Sequence, residues 1–175
     1  MIWLYLNSIA YLGIILRTLF TLLVLILVFI SGFIMGVYTL PIMTQPPAAS
    51  HAEILEISKA ASYKGQFKKK LKDSDALHYA VGEIYFTDNH IAFVGKIAPG
   101  PDYRLYLAKT FIETEADFKA QKHTMIEIAN INQFSQFVQP KYRQVDLTQF
   151  QSAIIWCEHF EQFISAAPLQ PTGSK

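Results

Sequence analysis

Cysteine is nearly absent from this sequence: Cys157 is the single one among 175 residues. That excludes an internal disulfide framework and any zinc site built mainly from thiolates. Charge is scarce too, at 17% of residues, against about 25% in ordinary soluble proteins. Neither sign dominates, since 15 Lys+Arg face 14 Asp+Glu for a formal charge of +1. No broad positive field is available, which excludes nucleic acid as an expected partner. The chain has no GxSxG, no Walker loop, no GxGxxG and no HExxH. A nucleophile elbow, a phosphate cradle and a zincin helix are therefore not expected. No internal repeat is present.

What the chain has in excess is apolar residues, 51% of the total, and they are unevenly spread. From Thr18 to Leu40, 23 residues pass without a charge, and Arg17 is the single charged residue among the first 52. As a helix this run spans about 35 Å, enough for a hydrocarbon core of about 30 Å. It exceeds the apolar region of a cleavable signal peptide, and the small-x-small pair Ser50 and Ala52 lies well beyond it. The expected element is an uncleaved signal anchor over 18–40, ended by Pro41, which places the protein in the membrane lipid bilayer. Residues 1–17 form a short cytoplasmic or interfacial stretch, or extend the same helix. Arg17 flanks one side, while the first basic residue on the other is Lys59. The positive-inside rule then gives a single-pass cell-membrane protein, N-terminus cytoplasmic and C-terminal domain extracytoplasmic (periplasmic). Gly32 and Gly36 make a GxxxG pair, which suggests a homodimer through that helix face.

The remainder reads differently. A linker and short helix take up 41–61, with Ala52–Ala61 as the helical stretch and Pro46-Pro47 as a stiff connection. Short β-branched and aromatic runs follow: Tyr63–Phe67, His78–Phe86, Ile91–Val94, Tyr103–Leu107, Met125–Ile131, Phe134–Val138, Arg143–Leu147 and Ser152–Glu158. Turn signals separate them, notably Thr87–His90 and Pro99-Gly-Pro-Asp102. Glu113–Lys122 is polar enough for a short surface helix or an excursion. Many short strands between turns predict an all-β sandwich or barrel over 62–169, with 170–175 as a tail. Ser152–Glu158 is apolar on both alternations, as expected of a strand covered on both faces.

Few residues here carry chemistry. Cys157 fits a redox thiol, an axial ligand to haem or metal, an intermolecular disulfide partner, or a buried small hydrophobe. His159 lies two residues on and shares its face if the strand continues, close enough to tune the thiol. His51, His78, His90 and His123 are dispersed, so no metal site is expected. Asp73, Asp75, Asp88, Asp102 and Asp146 sit at turns or element ends, and Asp102 is expected to bond backbone and fix the start of its strand. Lys68–Lys72, four lysines around Leu71, reads as a solvated strand end or a lipid-headgroup contact.

Several of these residues together resemble the DM-thirteen domain family, called electron-transfer DM in some descriptions, in its bacterial membrane-anchored form. The match lies in Ala153-Ile-Ile-Trp-Cys-Glu-His-Phe160 with Gln162–Ile164 and Ala166-Ala167, and in Lys96-Ile-Ala-Pro-Gly-Pro-Asp-Tyr-Arg-Leu-Tyr-Leu107. Gly65-Gln-Phe67, Ala80-Val-Gly82 and Glu113–Phe118 add to it. The resemblance implies a β-rich extracytoplasmic domain whose single cysteine, here Cys157, acts in redox chemistry as a naked thiol or by holding a prosthetic group. No haem motif accompanies it, so the cofactor stays unassigned. The chain carries no cytochrome segment, and an electron partner would be another envelope protein.

The expected function is a membrane-anchored redox or electron-transfer module. Cys157 would be its active group, with Trp156, Phe160 and His159 shaping the pocket. The alternative is a non-catalytic ligand- or protein-binding module of the cell envelope, with a structural cysteine.

Overall fold

The computed structural model describes the backbone of residues 2–173 and the side chains of residues 11–173. Ser174 and Lys175 of the expected tail, and the side chains of Trp3, Tyr5, Asn7 and Ser8, lie outside the described residues. The chain forms two units, residues 1–39 and 40–175.

The first unit belongs to one helix, α1, Ile2–Thr44. Its apolar part is long enough to cross a membrane. Polar side chains along it turn back on the helix: the Thr18, Thr21 and Ser31 hydroxyls donate to the carbonyls of Ile14, Arg17 and Val28. Such internal bonds satisfy these three hydroxyls without water. Pro41, expected to end the helix, sits inside it, and the helix stops at Thr44 ahead of Pro46-Pro47. Pro41 lacks only the bond to residue 37, a loss a long helix absorbs one turn from its end.

The second unit is an eight-stranded antiparallel sheet curled into a nearly closed barrel. Its strands are β1 (Tyr63–Phe67), β2 (Ala80–Phe86), β3 (His90–Ile97), β4 (Tyr103–Ala108), β5 (Ile126–Ile131), β6 (Phe137–Pro140), β7 (Ser152–Cys157) and β8 (Gln162–Pro171). Their order is β5-β4-β7-β8-β1-β2-β3-β6. Side chains stitch the seam between β5 and β6: Gln139 Nε2 donates to Asn130 O, and the Asn130 N–H donates to Tyr142 Oη, both at 2.8 Å. The Tyr142 N–H also donates to Ile128 O. Closure removes the exposed edges that make open sheets sticky. Gly82 and Gly95 face each other across β2 and β3. At Gly82 φ is +139°, and a Cβ would lie 2.3 Å from Val94 O, so only glycine permits the bend there.

Inside the barrel, Phe67, Ile84, Phe93, Leu105, Ile128 and Ile155 form the main core. Phe93 stacks on Phe137 at 5.5 Å and meets Phe67 edge-on at 6.0 Å. Two helices pack outside. The first, α2 (His51–Ala60), opens with a capping box between Ser50 and Glu53 and buries Ile54. The second, α3 (Glu115–Gln121), is capped by Thr114 and buries Phe118. Arg143–Leu147, expected as a strand, is irregular and leads into a 3₁₀ turn at Leu147–Gln149. Asp146 caps that turn by accepting from the Thr148 N–H, a local bond that competes with strand pairing. β8 runs into the stretch read as tail, because its last residues pair with β1 at Tyr63↔Pro171.

Candidate functional site

β7 is the strand that positions the site. It lies between β4 and β8, and all six of its residues are buried. Alternation divides them. Ala153, Ile155 and Cys157 look into the barrel core, whereas Ile154 and Trp156 join Phe118, Phe163 and Tyr106 in a second layer outside. Cys157 and Trp156 are thus on opposite faces. A bulge between Ile155 and Trp156 shifts the pairing with β8 without exposing either residue.

Cys157 is the last residue of β7, opposite Tyr103 on β4 and Gln162 on β8. Its side chain is covered, at 2% exposure. Burial pushes the thiol pKa up, opposed by the backbone N–H groups of Phe160, Asp102 and His159 directed at the sulfur. The Asp102 carboxylate adds to the rise. The resting group is therefore a neutral thiol, held where three N–H dipoles favour negative charge on sulfur. A planar prosthetic group does not fit on this sulfur as it is packed, because the residue is buried within the barrel core cluster. Among the described residues, no three His, Cys, Asp or Glu side chains are grouped to hold a metal.

The cover over Cys157 is the turn Glu158–Glu161 between β7 and β8. Glu161 has φ +48°, the one non-glycine residue with positive φ among those described, and such a conformation costs about 1–3 kcal/mol. At its start the turn is pinned by Glu158. The Glu158 carboxylate accepts from Lys122 Nζ at 2.6 Å and from the Tyr106 hydroxyl, and the Glu158 N–H donates to Asp102 O. Partial burial pushes the Glu158 carboxyl up, but Lys122 and Tyr106 outweigh it and hold the pKa below the usual carboxylate value. Burial and the same carboxylate push the Tyr106 phenol up.

His159 and Phe160 are exposed on this turn and meet edge-on at 4.8 Å. His159 supplies a backbone N–H to the sulfur. Trp156 is enclosed behind β7: Phe118 stacks on it at 4.0 Å, and Lys119 and Lys122 each lie 5.9 Å from its ring centre. Its Nε1 is buried without a hydrogen-bond partner among the described residues.

Asp102 departs from expectation. Its carboxylate accepts from Arg104 Nε at 2.9 Å, and Arg104 also reaches Glu127 and Asn130. The preceding Gly100 is required by close approach, since a Cβ there would lie 2.3 Å from Tyr103 Oη. Neither Glu158 nor Lys122 is singled out by the sequence. A charged residue directly after five apolar ones was the available signal for Glu158.

The motif positions thus converge on one end of the barrel: Gly100 and Asp102 before β4, Cys157 at the end of β7, and Glu158 through Phe160 after it. No curated protein and no solved structure matches the chain. The profile of the family described as Electron transfer DM13 matches residues 66–169, more than half of the sequence, from the end of β1 to the last third of β8, and the chain belongs to that family.

Proposed function

We propose that this protein is a membrane-tethered thiol redox module, with Cys157 as its reactive group and the turn Glu158–Glu161 as the gate over it. The observation that carries the proposal is a sulfur 2% exposed at the end of β7, next to a turn whose first residue is held by Lys122 and Tyr106, with neighbouring backbone N–H groups opposing the rise of its pKa. Closed, the site keeps the thiol protonated and inert; opened, it regains water while neighbouring N–H groups stabilise the thiolate. The matching reaction is thiol–disulfide exchange with an envelope partner. The Cys157 thiolate attacks one sulfur of the partner's disulfide, a mixed disulfide forms, and the other sulfur leaves as thiolate with the electron pair. Cys157 is oxidised and that sulfur reduced. His159, exposed on the gate two residues along the chain, is the proposed acceptor of the thiol proton.

We place the N-terminus in the cytoplasm and the barrel on the periplasmic side, as the charge around α1 favours. Gly32 and Gly36 lie on one helix face, where an added Cβ meets nothing within 4 Å. That face is the proposed homodimer contact.

Incubating the native full chain with oxidised glutathione tests the function. One mixed disulfide at Cys157, formed without unfolding and slowed by His159→Ala, supports it. A thiol that stays unmodified until the domain unfolds overturns it. Burial of Cys157 among apolar residues favours a second reading, a binding module with a structural cysteine, and that result would establish the structural cysteine.

A further inference from the structure

The ends of the barrel are not alike. β1 ends at Phe67, β2 begins at Ala80, β3 ends at Ile97 and β7 ends at Cys157. The registers Phe67↔Gly82, Ala80↔Ile97 and Tyr103↔Cys157, with Tyr103↔Ile131, set these termini on one rim. Lys68, Lys69, Lys70 and Lys72 follow β1 there, all exposed, as is Phe160 in the gate turn. The chain leaving α1 meets the same rim. The Phe134 N–H donates to Gln45 Oε1, Gln133 Nε2 donates to Pro46 O, and the Ala49 N–H donates to Gln136 O. Residues 133–136 join β5 to β6, on the far side of the rim from β1 in the strand order. Tether and lysines thus bracket one end of the barrel.

We propose that this rim docks on an anionic lipid surface, with the four lysines as headgroup contacts and Phe160 as the apolar contact. The inference rests on α1 as a membrane anchor and is independent of the chemistry of Cys157. Charge complementarity argues for lipid. None of the four lysines is in an ion pair among the described residues; Lys69 lies over the Tyr79 ring at 4.7 Å. Several acids nearby are already engaged. Asp73 accepts from the Glu115 N–H, Asp75 from His78 and from backbone N–H groups, Glu158 from Lys122, and Glu161 lies 3.7 Å from Lys119. Each basic residue near an anionic surface raises docked occupancy about fivefold. Only one residue separates α1 from Pro46, whose carbonyl is bonded to the rim.

The test uses the full chain in nanodiscs of phosphatidylcholine, with or without phosphatidylglycerol. Nitroxides at Pro101→Cys on the rim and at Asp88→Cys on the opposite end, each with Cys157→Ala, report collisions with a nickel-chelating lipid. Docking is expected to raise collisions severalfold at Pro101 in anionic discs and not at Asp88. Replacing the four lysines by Gln is expected to abolish the rise. So is 1 M salt, where screening acts over about 3 Å. A Pro101 signal indifferent to lipid charge, or an equal change at Asp88, would overturn the proposal. A chain that fails to stay in the discs would instead refute the anchor.

Discussion

The inner face of β7 looks into a barrel bonded nearly all the way round, whereas its outer face is roofed by a helix of seven residues. Inside, Ile155 and Cys157 share a core with residues from every strand. Outside, Ile154 and Trp156 depend on Phe118, Ile112 and two partly buried residues, Leu71 and Met125. Backbone pairing makes the inner seal cooperative. The outer seal hangs on a few side chains and on Glu158 with Lys122 and Tyr106. Local opening draws on such thinly held regions. The difference teaches where mobility is available: Cys157 belongs to the inner core by packing, but its cover is tied to the outer layer.

The largest test of this contrast compares two phenylalanines. Phe93→Ala is expected to destabilise by about 3–5 kcal/mol, because a closed barrel cannot settle onto the cavity. Phe118→Ala should cost less, about 2–3 kcal/mol, since α3 can move toward Trp156. Urea unfolding of the full chain in detergent, followed by Trp156 fluorescence, measures both. Equal losses would erase the distinction between the two layers.

Next comes the thiol itself. Cys157→Ala removes the sulfur from the N–H groups of Asp102, His159 and Phe160 and leaves a small cavity, and is expected to cost about 1–3 kcal/mol. Cys157→Ser keeps an acceptor and should cost less. The opposite order would mean that apolar packing, not the N–H set, defines the position.

The third test is pH. The folded pKa of Glu158 lies below the reference 4.5, so its contribution is present above that value and is lost as pH falls through the folded one. Wild type should therefore lose stability more steeply than Glu158→Gln at acid pH, by about 1 kcal/mol. Coincident acid limbs would mean that the gate is not pinned there. Smallest of all, Asp102→Asn weakens a half-exposed pair with Arg104 and should shift stability by less than about 1 kcal/mol.

Much of this architecture was legible in the sequence. The long apolar run gave α1, the Ser50–Glu53 spacing fits the α2 cap, and the double apolar alternation of Ser152–Glu158 correctly marked a strand covered on both faces. Gln162–Pro171 was missed as a strand because Ser165, the Ala pair, Pro168 and Pro171 blur any alternation. Only its pairing with β7 and β1 defines it. Arg143–Leu147 had strand composition, but the Asp146 cap won locally. At the site, sequence picked out Cys157 and His159. It missed Glu158, whose partners Tyr106 and Lys122 are 52 and 36 residues away. That convergence is a product of the fold, not of spacing.

The most direct test of the gate is the labelling rate of Cys157 by a thiol reagent across low urea, in the full chain and in Glu158→Gln. Opening of the turn alone exposes little surface. The rate is then expected to be slow, nearly independent of urea, and about tenfold higher in Glu158→Gln if the pin contributes about 1.4 kcal/mol. Labelling that rises with urea as steeply as global unfolding does, with the same slope in both proteins, would contradict a gated thiol and leave Cys157 a structural residue.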